Sequence, residues 1–107
     1  MNKSAKQTNF EPVDIPNSVD WRKEGAVNSV QDQGNCASCW AFSTVAAMEG
    51  RDKIKNGKLW KLSEQQLVDC AEDGRIGCGG GVLSFGFQYA KDFGMIEESA
   101  YPYVGFR

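Results

Sequence analysis

Gln33-Gly34-Asn35-Cys36-Ala37-Ser38-Cys39-Trp40-Ala41-Phe42 is the stretch on which the reading of this chain turns. Its first half is rich in turn formers and, with Gln31-Asp32 ahead of it, predicts a loop. Its second half opens an apolar run, Trp40, Ala41, Phe42, Val45, Ala46, Ala47 and Met48, broken only by Ser43 and Thr44. Apolar residues around most of a helix predict one that is buried on nearly every side. The run becomes charged at Arg51-Asp52-Lys53 and can stop at Asn56-Gly57. Ser38 is placed to cap the helix with its hydroxyl. Cys39 then falls in the first turn, where unsatisfied amides and the positive end of the helix dipole favour an anion such as a thiolate. That makes Cys39 a candidate nucleophile, against the plainer expectation that a free cysteine is a buried core residue. Gln33, six residues upstream, can fold back across the glycine-containing loop. Its side-chain amide could there donate to a developing oxyanion beside the backbone N–H of Cys39.

Working outward, Ser63-Glu64-Gln65-Gln66 is a capping box followed by Leu67, Val68 and Cys70, which predicts a second helix. A glycine-rich loop, Gly74 to Gly81, leads to a third helix over about 82–93, with Leu83, Phe87 and Ala90 on one face and Gly94 to end it. Ahead of the active stretch, 20–27 reads as short extended pieces and a turn; 95–107 reads as strand-like and turn-like pieces. Residues 1–14 are a polar tail without an apolar leader core, read as the remnant of a cleaved segment or an expression remnant. One domain of modest core fits 107 residues. The first helix is hard to cover inside so short a chain, so a surface beyond it is expected to shield its remaining sides.

The charge is nearly balanced, 12 basic against 14 acidic residues, with no basic stripe, so nucleic acid is not an expected partner. No apolar run reaches membrane-spanning length. The chain has no histidine, which excludes an imidazole base or ligand from within it. Cys36-x-x-Cys39 suits zinc or a redox pair poorly. Cys70 and Cys78 are too widely spaced for a zinc knuckle, and no strand of a βαβ unit precedes Cys36. No cofactor or metal is expected.

The stretch 33–42 resembles the active-site signature of papain-like cysteine peptidases, the papain and cathepsin family. The resemblance continues through Ile15-Pro16-Asn17-Ser18-Val19-Asp20-Trp21-Arg22, Leu62-Ser63-Glu64-Gln65-Gln66-Leu67-Val68-Asp69-Cys70, Gly77-Cys78-Gly79-Gly80-Gly81 and Tyr101-Pro102-Tyr103, so it covers about 15–107 in order. It implies an α+β, mainly helical fold: the left lobe of the papain fold, about three helices around a buried central helix, with the β-rich second lobe absent from this sequence. It implies Cys39 as nucleophile, Gln33 as oxyanion-hole donor and a Cys36–Cys78 disulfide. Cys70 is left as a free thiol, and Trp40 packs under the catalytic pair. Gly80 and Gly81 would pair with the main chain of a peptide or protein substrate, since no Cβ blocks the approach. Val82 and Leu83 would line an apolar pocket for the residue next to the scissile one. Lysosomal, vacuolar or secreted localisation follows by the same resemblance.

Two departures are small: Ala37 stands where the family usually has glycine, and Gly79 where a polar residue is common. The large one is the missing histidine and asparagine, which the family carries on its second lobe. Without an imidazole Cys39 has no general base and no acid for the leaving amine, so the chain alone is expected to be inactive. A second lobe, as a separate chain or a missing part, is the expected partner. The competing reading is a non-catalytic binding module, or a lobe that self-associates through the exposed interface.

Overall fold

The computed structural model describes residues 12–107. Three helices follow in chain order, α1 (Cys39–Asn56), α2 (Glu64–Cys70) and α3 (Leu83–Phe93), with 3₁₀ turns at Ala71–Gly74 and Glu98–Ala100. Most of the polar tail, 1–11, lies outside the described residues, and 12–14 are exposed without regular structure. The mainly helical lobe is as expected. No strand forms among the described residues, and the strand-like pieces expected over 95–107 reduce to one antiparallel bridge, Glu97 to Leu62.

α1 stops where its sequence stops it. Gly57 takes φ +88° and donates its N–H to the Lys53 carbonyl, a conformation that costs a glycine little. Burial, however, is one-sided. Trp40, Ala41, Thr44, Val45 and Glu49 face inward, while Cys39, Ser43, Ala46 and Ala47 are exposed. The inward stripe includes two polar residues that apolar patterning did not anticipate. Thr44 is satisfied by donating its hydroxyl to the Trp40 carbonyl at 2.7 Å, and Glu49 by accepting the Leu62 N–H at 2.7 Å. The core that results joins Cys36, Trp40, Ala41 and Val45 to Leu67, Val68 and Ala71 of the α2 region.

The expected cap at Ser38 is half right. Ser38 is the N-cap residue, but its hydroxyl makes no capping bond. Its backbone (φ −113°, ψ 17°) is not the extended conformation that aims a cap side chain at the next amides. At α2, Ser63 does cap, accepting the Gln66 N–H at 3.0 Å. The reciprocal half of that box is not made, because Ser63 N–H goes to the Ile96 carbonyl and the Gln66 side-chain oxygen Oε1 accepts from Ile96 N–H instead.

α3 forms where the sequence places it, and the structure decides which of its faces is inward. Leu83 and Phe87 are 43% and 41% exposed, so the face they share is not the buried one. Phe85, Gly86 and Tyr89 turn inward. The reason is Gly86, the one fully buried residue of the helix, which lets α3 approach α1 closely. A Cβ at Gly86 would stand 2.7 Å from Thr44 side-chain atoms.

A charge cluster closes the side of α2. Lys61 Nζ lies 2.9 Å from Glu64, 3.7 Å from Glu49 and 3.8 Å from Glu98, and the first two carboxylates are nearly fully buried. Burial pushes the Glu64 carboxyl above its ordinary range, with Lys61 pulling the other way. The fold therefore favours protonated Glu64 relative to the unfolded chain.

Gly86→Ala is expected to destabilise the fold by about 1–3 kcal/mol through overpacking, despite the better helix propensity of alanine. Urea unfolding checks this, and Thr44→Ala in the same chain should recover part of the loss. For Glu64 the sign is set by its raised pKa: its contribution is fully present below the unfolded carboxylate range and is lost as pH rises through the folded value. Comparing wild type with Glu64→Gln by denaturant unfolding from about pH 4 to about pH 7.5 should show the wild type losing ground to the variant as pH rises.

Candidate active site

The loop before α1 is shaped by short-range bonds. Asp32 accepts the Gly34 N–H at 2.8 Å, and Gly34 takes φ +65° to close the turn. Gln33 is then held at both ends. Its side-chain Nε2 donates to the Cys36 carbonyl at 2.9 Å, and its own carbonyl accepts from the Tyr103 hydroxyl. An amide nitrogen carries two protons, so the bond to Cys36 leaves one N–H of Gln33 for another acceptor.

Cys36 is buried and bonded to Cys78, with Cα atoms 4.7 Å apart. Beside the bridge, Ala37 N–H donates to the Cys78 carbonyl at 3.2 Å, and Ala37 forms a parallel bridge with Gly79. Loop and glycine segment are thus joined once by a covalent bond and once by the backbone. This pairing removes the Cys36/Cys39 redox couple from consideration and leaves Cys39 free. Cys39 is exposed at the first residue of α1, which also disposes of the buried-core alternative. Cys70 is a second free thiol, half-buried at the end of α2. Among the described residues, no group of three or more His, Cys, Asp or Glu residues is arranged to hold a metal.

Gly80, Gly81, Val82 and Leu83 follow the bridge and lead into α3. Gly80 takes φ +92° with open space where a side chain would be. Gly81 is exposed, and the Trp40 ring lies on its inner side. A Cβ there would lie 3.1 Å from the Trp40 ring, so the indole forms the floor on which this backbone rests. Val82 and Leu83 are 51% and 43% exposed, free to line a pocket rather than the core. Trp40 is buried, and its indole N–H has no acceptor among the described residues.

Sequence reasoning missed Tyr103 as part of this region, because nothing in a Tyr-Pro-Tyr turn points to a loop 70 residues upstream. It also missed the role of the two glutamines of α2. Gln65, nearly fully buried, accepts from the Val104 and Gly105 N–H groups and donates to the Phe106 carbonyl. Gln66 does the same for 94–96, accepting from Ile96 N–H and donating to the Gly94 carbonyl. Together they pin the segment that delivers Tyr103.

A family model described as papain family cysteine protease matches residues 15–107. Vignain of Ricinus communis is 54% identical over 99 residues, covering 91% of this chain and 28% of the relative. A cathepsin L-like peptidase of Aedes aegypti is 55% identical over 93 residues, covering 85% of this chain and 27% of the relative. Among solved structures, the proform of the ragweed pollen cysteine protease Amb a 11 superposes with TM-score 0.82 at 50% identity, over 90% of this chain and 30% of that one. The Carica candamarcensis cysteine protease CMS1MS2 gives 0.81 at 49% identity, over 86% and 43%. The chain belongs to the papain family of cysteine proteases, and it spans about a quarter of the length of the curated relatives it matches.

The bridge closes a loop with a sequence separation of 42, so removing it should cost about 4 kcal/mol in the chain-entropy treatment. Cys36→Ser/Cys78→Ser is expected to lower the urea midpoint accordingly. Thiol counting on the untreated chain should find two free thiols, Cys39 and Cys70.

Proposed function

We propose that this chain supplies the nucleophile and the oxyanion donors of a papain-like cysteine endopeptidase whose general base comes from a second lobe. The observation that carries the reading is Cys39: a free, exposed thiol at the first residue of an 18-residue helix, in a loop whose Gln33 amide is already oriented. In the reaction the Cys39 sulfur attacks the scissile carbonyl carbon. The carbonyl oxygen becomes the oxyanion and accepts from the free N–H of Gln33 and from the backbone N–H of Cys39. An imidazole takes the thiol proton and passes it to the leaving amine, giving a thioester that water then hydrolyses. With no histidine in the sequence, that proton has no carrier here, and the isolated chain is inactive.

An extended substrate would lie along Gly80 and Gly81, with the side chain next to the scissile residue against Val82 and Leu83. Support comes from the exposed, bridge-anchored position of that segment. The second lobe would cover the bare side of α1. There Trp21, Ala26, Val27, Ala46, Ala47 and Ile54 line an apolar groove. A disulfide is the mark of an oxidising compartment, which supports vacuolar, lysosomal or secreted localisation.

The test is labelling by a thiol-directed peptidyl epoxide, with peptide turnover measured in parallel. The chain alone should show no turnover. Addition of a histidine-bearing lobe should bring labelling at Cys39 and raise turnover by several orders of magnitude, and Cys39→Ser should abolish both. Turnover by the purified chain alone would overturn the reading. Absence of labelling with the lobe bound would favour the non-catalytic binding module, and a stable dimer of this chain that excludes the lobe would favour self-association.

A further inference from the structure

We propose that Tyr103 is a positioning residue for the oxyanion hole, tying the Gln33 backbone to the N-cap of the nucleophile helix. The inference rests on the assignment of Cys39 and Gln33 made above. The phenol oxygen lies 2.5 Å from the Gln33 carbonyl and 2.8 Å from Ser38 Oγ. A tyrosine hydroxyl has a single proton. A carbonyl can only accept, so that proton goes to Gln33, and the bond to Ser38 runs the other way, with Ser38 donating to Tyr103. Ser38 in turn has a single proton, which leaves its 3.3 Å contact with the Cys36 carbonyl as the weaker arm. Ser38 is buried, and with its backbone turned away from the extended cap conformation its hydroxyl serves Tyr103 rather than the helix amides.

The consequence is geometric. The two oxyanion donors belong to separate parts of the loop: the Gln33 side chain on one side, and the backbone N–H of Cys39, directly after Ser38, on the other. Tyr103 bonds to the first at Gln33 and to the second through Ser38, closing a small circuit across the loop. Its own position has two further supports. Its ring packs edge-on against Phe42 at 4.9 Å, and its N–H donates to Glu98 at 3.0 Å. A 1 Å misplacement of a donor can cost orders of magnitude in rate, so the fixed separation of the two donors is worth holding.

The experiment measures kcat and KM for a peptide substrate in this chain joined to a histidine-bearing lobe. Tyr103→Phe keeps the ring against Phe42 and removes only the hydroxyl. It should lower kcat about tenfold with KM unchanged, the effect of one lost hydrogen bond at the transition state. Gln33→Ala should lower kcat about a hundredfold or more. Adding Tyr103→Phe to Gln33→Ala should then cost little further, because the tyrosine acts largely through the glutamine. On the chain by itself, ¹⁵N relaxation of the Gln33 side-chain amide should show it ordered in the wild type and mobile in Tyr103→Phe. Should Tyr103→Phe fail to fold, Ser38→Ala cuts the same circuit from the other side and should give a smaller, roughly threefold loss of kcat.

Three outcomes would overturn the proposal: wild-type kcat in Tyr103→Phe (or in Ser38→Ala, where that variant stands in for it) while Gln33→Ala is impaired; an equal loss of kcat with Gln33 present or absent; or an unchanged Gln33 amide. Wild-type kcat in Gln33→Ala is a different failure. It removes the assignment of the oxyanion donor, and the role of Tyr103 with it.

Discussion

The covalent bond between Cys36 and Cys78 is the constraint on which the rest of this structure depends. The chain is short, and one side of its longest helix is bare, so apolar burial alone leaves a thin margin against chain entropy. The bridge cuts the disorder available to the unfolded chain. It also brings the loop that presents Cys39 beside the glycine segment that leads to α3. The Ala37 to Cys78 backbone bond fixes their register. Further along the segment, Gly81 rests against the Trp40 ring. Nucleophile loop and candidate substrate segment are therefore one mechanical unit.

A second layer of organisation comes from polar side chains in the interior. Ser63, the N-cap of α2, and Gln65 and Gln66 of its first turn hold the backbone of 94–106 by its N–H and carbonyl groups. A segment with only a short 3₁₀ turn and one bridge must have its other backbone polar groups satisfied somewhere, and here polar side chains do much of what a sheet would otherwise do. Lys61 plays the matching part for charge, standing among three carboxylates at the edge of the buried region. Such networks demand satisfied partners, and their geometry is correspondingly definite. This is what lets a C-terminal turn reach back and touch the loop at Gln33.

α1 presents two unlike faces. Its inward stripe mixes Trp40 and Val45 with Thr44 and Glu49, and its exposed residues include Cys39, Ala46 and Ala47. Small side chains there make a groove with Trp21, Val27 and Ile54 rather than a solvated polar surface. This is the surface that the proposed second lobe would cover.

Much of this was written locally. The start and stop of α1, the Ser63 cap, the glycine end of α3 and the cysteine at a helix tip all depend on residues within a few positions of one another, and short-range rules read them directly. The family pattern added the Cys36–Cys78 pairing. What the sequence could not determine is which polar groups are buried and with what they pair. Ser38 looks like a helix cap until Tyr103 arrives from 65 residues away, and Gln66 looks like half of a capping motif until Ile96 and Gly94 claim it. The inward face of α3 is likewise decided by Gly86 against Thr44, a fit between two helices that no periodicity in either one contains. Local propensity acts through neighbours along the chain, whereas hydrogen-bond partners and close packing are properties of neighbours in space.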